Sequence, residues 1–216
     1  MEVRRTDAPA PHRKEGEVMN AHETRPDEPA DGAWTMEQLL AAEAAGDRLK
    51  FLPFWGHTPH ADGSVGPYLL SQWYPHEFEH DDVRYLTAEH FMMAAKARLF
   101  GDDVRLAQIL SAPSAAEAKK LGRQVQGFES DVWDRECVRI VRDGSIAKFG
   151  STPELRAYLV GTGRRVLVEA SPRDTVWGIG VGRDHPTVER PSEWRGKNLL
   201  GFALMQARAV LALEGN

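Results

Sequence analysis

An acid and an amine, Glu89 and Lys96, stand seven positions apart in the sequence TAEHFMMAAKA of residues 87–97. At roughly 3.6 residues per turn, two side chains seven apart leave a helix in nearly the same direction. Such a pair can act as a catalytic acid and a nucleophile, or it can be a solvated ion pair beside Met92 and Met93. By themselves these residues favour the solvated pair, and the rest of the chain must decide.

The segment that carries this pair has the signature of a helix. Thr87 supplies a side-chain oxygen that can cap the first amides, and neither Pro nor Gly interrupts the run before Gly101. We therefore expect a helix of about three turns that presents Glu89 and Lys96 on one side.

A zinc-protease pattern also occurs, at residues 76–80, but its surroundings argue against zinc chemistry. The sequence HEFEH fits H-E-x-x-H, in which two imidazoles on one helix bind zinc and the Glu acts as base. Pro75 precedes the match and a turn is expected at 80–82, which leaves too little chain for such a helix. Alternation of His76, Phe78 and His80 with acidic residues indicates a β-hairpin, and no metal is expected.

Glycines dominate the sequence WGIGVG at 177–182. A dinucleotide-binding loop would need a further Gly where Arg183 or His185 stands, and no phosphate-binding Walker A pattern occurs in the chain. Two interpretations remain open: a flexible loop whose backbone approaches a ligand, or an ordinary turn with Trp177 in the core.

The composition predicts a soluble globular protein. The 216 residues are 42% hydrophobic and 27% charged, as in ordinary globular proteins. The net charge of −5 argues against a protein whose main role is to bind the nucleic-acid backbone. The single cysteine, Cys137, excludes an intrachain disulfide, and its helical spacing with apolar neighbours predicts a buried packing role. Without an apolar leader or membrane-spanning run, we expect a cytoplasmic protein.

The chain divides into a tail and one domain. Residues 1–33 are rich in Pro and charged side chains and are predicted to be disordered, whereas residues 34–216 form the domain. Besides the segment from Thr87, caps and apolar spacing predict helices at 34–44, 102–110, 114–125, 131–148, 152–161 and 198–213. Strands are predicted at 50–56, at an edge because of Pro53, and at 165–169, with short β pieces between 68 and 85. Helices dominate and no βαβ alternation appears, so the predicted class is α+β.

Several motifs of the domain together resemble one known family. They are LSQWYP at 70–75, TAEHF at 87–91 with Lys96, LGR at 121–123 with Trp133, AKF at 147–149, PEL at 153–155, LVEASPRD at 167–174, WGIG at 177–180 and WRGKNLLG at 194–201. In order and spacing they resemble the YbiA-like family, also called NADAR, from about residue 50 to 213. The resemblance implies an α+β fold and an N-glycosidase that breaks the bond between ribose C1 and nitrogen in a phosphorylated substrate.

The resemblance also implies roles for individual residues. Glu89 matches the catalytic acid or base, and Lys96 matches a lysine that attacks the opened sugar as a Schiff-base nucleophile. Asp174 joins Glu89 as a carboxylate that stabilises the positive charge developing on the sugar. The implied binding residues are Trp73, Trp133, Trp177, Gly178 and Asn198, with Arg123 and Lys197 as candidates for the phosphate. Gln72 and Trp73 stand where the family usually has Asn and Phe.

The resemblance leaves the substrate open among three alternatives. We expect hydrolysis of phosphorylated ribosylamino-pyrimidine intermediates of riboflavin biosynthesis, because the chain carries one domain without an appended toxin-like partner. The alternatives are release of ADP-ribose from guanine bases of modified nucleic acid, and a non-catalytic module that binds NAD or ADP-ribose. The expected partner is a small phosphorylated nucleoside-like molecule, or ADP-ribosylated nucleic acid. Neither a cofactor nor a membrane is expected, and the oligomeric state is left open.

Overall fold

The computed structural model describes Pro29 and residues 32–214. Within them lie seven α-helices, four strands and two short 3-10 helices. The α-helices are α1 (Met36–Ala44), α2 (Ala88–Leu99), α3 (Asp103–Leu110), α4 (Ala115–Gly122), α5 (Ser130–Gly150), α6 (Pro153–Gly161) and α7 (Leu199–Leu213). The strands are β1 (Phe51–Phe54), β2 (Phe78–His80), β3 (Val83–Tyr85) and β4 (Val166–Glu169), and the 3-10 helices span Pro67–Leu70 and Pro191–Glu193. The chain therefore has the predicted fold, a mainly helical α+β domain.

A two-stranded parallel sheet joins the two halves of the chain. Strands β1 and β4 pair from Phe51 opposite Val166 to Phe54 opposite Glu169. Each strand of such a pair has an open edge, so Pro53 is tolerated although it has no N–H to donate. Helix α7 packs against β4. Both strands end on the same side of the molecule, where Glu169 stands.

Strands β2 and β3 form the predicted hairpin over the H-E-x-x-H match. His80 pairs with Val83, and the turn residues Asp81 and Asp82 have φ of 49° and 59°. Both angles are left-handed, as a two-residue type I′ hairpin turn requires. His76 lies before β2 and its Nε2 is 2.9 Å from Ser151 Oγ. The two imidazoles therefore do not share a helical face. Residues 68–70, expected among the β pieces, instead belong to the 3-10 helix Pro67–Leu70, since a proline suits its first position.

Helix α2 lies at the centre of the domain rather than on its surface. Its cap is the predicted one, because the Thr87 hydroxyl accepts a hydrogen bond from the His90 amide. The helix packs against α3, α4 and α5, and its residues 88–94 are all buried. A solvated ion pair therefore does not describe Glu89, whose exposed fraction is 3%.

The residues before α1 that the structure describes contact the domain. Gly32 is buried, and its carbonyl accepts a hydrogen bond of 2.8 Å from Arg208 of α7. The Arg164 side chain donates to the Pro29 carbonyl at 3.1 Å. The rest of the segment predicted to be disordered, 1–28 and 30–31, lies outside the described residues. Among the described helices, none has the length and apolar character to cross a membrane.

Candidate active site

A cavity of about 480 Å³ opens where the end of β4 meets the first turn of α2 and helix α4. Carboxyl groups, cations and flat aromatic rings line it. The carboxyl groups are Glu89, Glu169 and Asp174, the cations are Lys119 and Arg173, and the rings are Trp55, His57, Trp73 and Trp177. The site thus combines groups that transfer protons, groups that attract phosphate and surfaces on which a base can stack.

Glu89 enters the cavity from the first turn of α2, where two contacts with the 71–73 segment position it. Its amide donates to the Gln72 carbonyl at 3.0 Å, and its Oε2 accepts a hydrogen bond of 3.1 Å from Trp73 Nε1. The other oxygen, Oε1, is buried without a hydrogen-bond partner among the described residues. Burial raises the pKa of Glu89, while the charge of Lys119 and the Trp73 hydrogen bond oppose that rise. One oxygen is therefore held by Trp73, and the other is buried without a hydrogen-bond partner among the described residues.

Asp174 shapes the loop after β4 as well as lining the cavity. Its Oδ1 accepts hydrogen bonds from the amides of Val176 and Trp177, at 2.9 and 2.8 Å. The resulting turn brings the half-buried Trp177 ring to the cavity. A Cβ on Gly178 would lie 2.8 Å from the Glu169 carbonyl oxygen, so only glycine lets the loop approach β4 this closely. Of the Gly-rich segment, Trp177 therefore lines the cavity, whereas Gly178 packs against β4 and is not part of the lining.

Glu169 and Lys119 line the cavity although their side chains were not among the predicted site residues. Burial, and secondarily the charge of Asp174, raises the pKa of Glu169 to about 8. The Lys119 Nζ lies 5.7 Å from the centre of the Trp73 ring. Two signals could have found them: an acid at the end of a predicted strand, and a lysine one helical turn before Arg123.

Lys96 does not line this cavity, so the predicted helix that presents Glu89 and Lys96 on one side does not bring both into one site. Seven helical residues separate them by about 10 Å along the axis. The Lys96 Nζ donates to the Gly122 carbonyl at 3.0 Å and lies 4.2 and 5.5 Å from the ring centres of Phe128 and Trp133. Burial lowers the pKa of Lys96. Lys96 and Trp133 thus belong to a neighbouring cluster.

The remaining predicted binding residues lie around the cavity rather than in its lining. Arg123 is exposed just after α4, and its charge favours ionised Glu89. Lys197 is exposed, and its amide is bound to the Thr175 carbonyl at 3.0 Å. Asn198 is fully buried, and both ends of its side-chain amide bind the β4 backbone. Asn198 therefore holds a wall of the cavity and does not face it.

A second cavity of about 570 Å³ adjoins the first and shares His57 and Trp73 with it. His76, Thr87 and Ser114 are among the residues that line it. The Trp73 ring therefore borders both cavities.

Comparison with known proteins identifies the family. The NADAR domain profile matches residues 53–212. This chain belongs to the NADAR domain family. N-glycosidase R617 of Acanthamoeba polyphaga mimivirus is 38% identical to it over 149 residues, which cover 67% of this chain and 88% of the viral protein. N-glycosidase YbiA of Escherichia coli is 31% identical over 134 residues, which cover 62% and 75% of the respective chains.

The NMR structure of E. coli YbiA has the same fold. It superposes with a TM-score of 0.61 at 27% identity, covering 77% of this chain and 87% of YbiA. The cavity-lining residues named above all fall inside the matched NADAR range. The resemblance found in the sequence motifs is therefore confirmed at the level of family and fold.

Proposed function

We propose that this NADAR protein, a hydrolase acting on N-glycosyl bonds, cleaves the ribose C1–N bond of phosphorylated ribosylamino-pyrimidine intermediates of riboflavin biosynthesis. The observation that carries the proposal is the buried Glu89 carboxyl in the cavity lining, with one oxygen held by Trp73 and the other without a hydrogen-bond partner among the described residues. Two of the relatives named above are called N-glycosidases, which supports the class of reaction.

The lining of the cavity suits the charges that this reaction develops. As the C1–N bond breaks, the sugar becomes positively charged, and the carboxylates of Glu89 and Asp174 stabilise that state more than the substrate. The faces of Trp73 and Trp177 can stack against the pyrimidine. Arg173 and Lys119 supply positive charge within the cavity, and exposed Arg123 and Lys197 add it nearby, where they would attract the phosphate.

The direct test supplies the ribosylaminopyrimidine phosphate to the purified protein and measures ribose 5-phosphate and the free pyrimidine. We expect both products in equal amounts from the wild type. Glu89→Gln preserves the size of the side chain but removes its charge and its proton exchange, so we expect kcat to fall by about 100-fold or more. Glu79→Gln, on the exposed face of β2, is the matched control and should leave kcat unchanged. If Glu89→Gln were as active as the wild type, the catalytic role of this carboxyl would be wrong.

The second cavity favours one alternative substrate. A molecule with two linked parts, such as an ADP-ribosyl group on guanine, could occupy both compartments that Trp73 borders. Release of ADP-ribose from modified DNA or RNA, without cleavage of the pyrimidine riboside, would identify the protein as an ADP-ribosyl-guanine hydrolase. Binding of ADP-ribose in calorimetry without any turnover would instead identify a non-catalytic module.

A further inference from the structure

We propose that Glu169 is a second catalytic carboxyl of this site, the acid that protonates the departing nitrogen, while Glu89 acts as the carboxylate beside the sugar. The inference rests on the proposed N-glycosidase function and assigns a role that the sequence motifs did not indicate. Its basis is the placement of Glu169, the contacts that fix it, and the different neighbours of the two glutamates.

Hydrogen bonds hold the backbone of Glu169 through both its amide and its carbonyl, at the end of β4. Its amide donates to Asn198 Oδ1 at 3.0 Å, and its carbonyl accepts the Ile179 amide at 2.9 Å. The same Asn198 side chain donates through Nδ2 to the Leu167 carbonyl at 3.0 Å, so it spans two residues of β4. Asn198 has a left-handed φ of 54°, which asparagine tolerates better than most residues. These contacts fix the backbone of Glu169, which lines the cavity.

The two glutamates share a cavity and share Lys119 as a neighbour, but other groups around them differ. Glu89 accepts the Trp73 indole N–H and also feels the charge of Arg123, both of which favour its ionised form. The Glu169 carboxyl has no hydrogen-bond donor among the described residues, whereas Asp174 disfavours the ionised form of both glutamates. The Trp73 hydrogen bond and the charge of Arg123 thus favour the ionised form at Glu89 and have no counterpart at Glu169.

The ionisation of Glu169 agrees with this assignment. Burial and Asp174 raise its pKa to about 8, so the carboxyl is protonated at neutral pH. The other titratable groups that line the cavity are His57, Glu89, Lys119, Arg173 and Asp174. Burial also raises the pKa of Glu89, but three neighbours oppose that rise, whereas only Lys119 opposes it at Glu169.

The step balances with water as the only other reactant. As the C1–N bond breaks, its electron pair stays with nitrogen, and the Glu169 carboxyl transfers its proton to that atom. The leaving group departs as a neutral amine, and the sugar carries the positive charge beside the Glu89 carboxylate. Water then adds its oxygen to C1, and the proton that it loses returns to Glu169. The products are the free amine and the sugar phosphate.

A substrate whose leaving group needs no proton distinguishes a catalytic acid from a residue that only supports the structure. On the ribosylaminopyrimidine phosphate, Glu169→Gln should lower kcat by about 100-fold with little change in KM. On nicotinamide riboside 5′-phosphate, whose ring nitrogen leaves as a neutral pyridine without protonation, we expect a loss below about tenfold. Wild-type kcat should fall above about pH 8, and Glu169→Gln should lack that alkaline decline. Glu79→Gln again serves as the exposed control.

A measurement without substrate completes the test. The infrared carbonyl band of a protonated carboxyl should be present at pH 7 in the wild type, disappear above about pH 8, and be missing in Glu169→Gln. Unchanged kcat in Glu169→Gln, or an equal loss on both substrates with the alkaline decline retained, would overturn the acid role alone. Wild-type protein that cleaves no N-riboside would overturn the proposed function and this role together.

Discussion

Glu89 and Lys96 leave helix α2 in similar directions and reach different surroundings. Glu89 meets the 71–73 segment and the end of β4, so its carboxyl is buried in the cavity. Lys96 meets the carbonyl end of α4 and the Phe128 ring. Helical spacing predicts the direction of a side chain, but the neighbouring elements decide what that side chain contacts. The catalytic role of Lys96 therefore needs its own experiment.

Reductive trapping tests whether Lys96 attacks the opened sugar. A deprotonated amine forms a Schiff base with an aldehyde, and burial already lowers the pKa of Lys96 toward that state. With cyanoborohydride and substrate, covalent attack by Lys96 predicts a stable sugar adduct on Lys96 in peptide mass spectra and none in Lys96→Met, whereas direct addition of water to C1 predicts no adduct in either protein. Lys120→Met, which removes an exposed amine of α4, is the matched control and should give the same spectra as the wild type. An adduct on Lys119 in the wild type would transfer the role to that residue.

At the scale of elements, the site depends on the junction of β4, the loop after it and α7. Asn198 binds two backbone groups of β4, and a side chain on Gly201 would collide with the Leu167 carbonyl. Glycine at 178 and 201 thus permits close approach, while Asn198 supplies the hydrogen bonds. This explains why a residue outside the cavity lies in the motif WRGKNLLG: it fixes the strand end that carries Glu169.

Asn198→Gly should destabilise the fold and misplace Glu169. Glycine keeps the left-handed backbone available but leaves the Leu167 carbonyl and the Glu169 amide without their partner. We expect the free energy of unfolding to fall by about 2 kcal/mol, measured by urea denaturation. The activity of the folded variant should also fall. Asp184→Gly, at an exposed turn position, provides a control that should alter neither quantity.

At the scale of the whole molecule, two buried ionisable groups make stability depend on pH in opposite directions. Burial raises the pKa of Glu169 to about 8, so the folded state holds more protons than the unfolded state from about pH 4.5 to 8. Burial lowers the pKa of Lys148 to about 7, although this amine donates to the Leu69 and Ser71 carbonyls at 2.7 and 2.8 Å. From about pH 7 to 10.5 the unfolded state therefore holds more protons at Lys148.

Free energies of unfolding, measured over a range of pH, test the assigned pKa shifts of Glu169 and Lys148. The contribution of Glu169 falls as pH rises from about 4.5 to 8, and that of Lys148 rises from about 7 to 10.5. The difference between wild type and Glu169→Gln should shrink by a few kcal/mol across the first window, and that for Lys148→Met should grow across the second. Urea denaturation at pH 5, 7.5 and 9.5 measures both. Parallel curves for a variant and the wild type would show that its residue does not titrate as assigned.

The sequence by itself determined the local structure and the family. Caps, apolar spacing and turn residues are local signals, so the seven helices, the β2–β3 hairpin and the α+β class could be predicted. The motifs identified the NADAR family, and Glu89, Trp73, Asp174 and Trp177 come together in one cavity.

Only the tertiary structure decided which other groups join that cavity. The pairing of β1 with β4 brings together residues more than a hundred positions apart. This pairing places Glu169 opposite Phe54 at the end of the two strands. Packing of α4 beside α2 brings Lys119 to Glu89 and takes Lys96 to another cluster. Burial, shared charges and hydrogen bonds between distant segments set these ionisation states, and no local pattern of residues contains them.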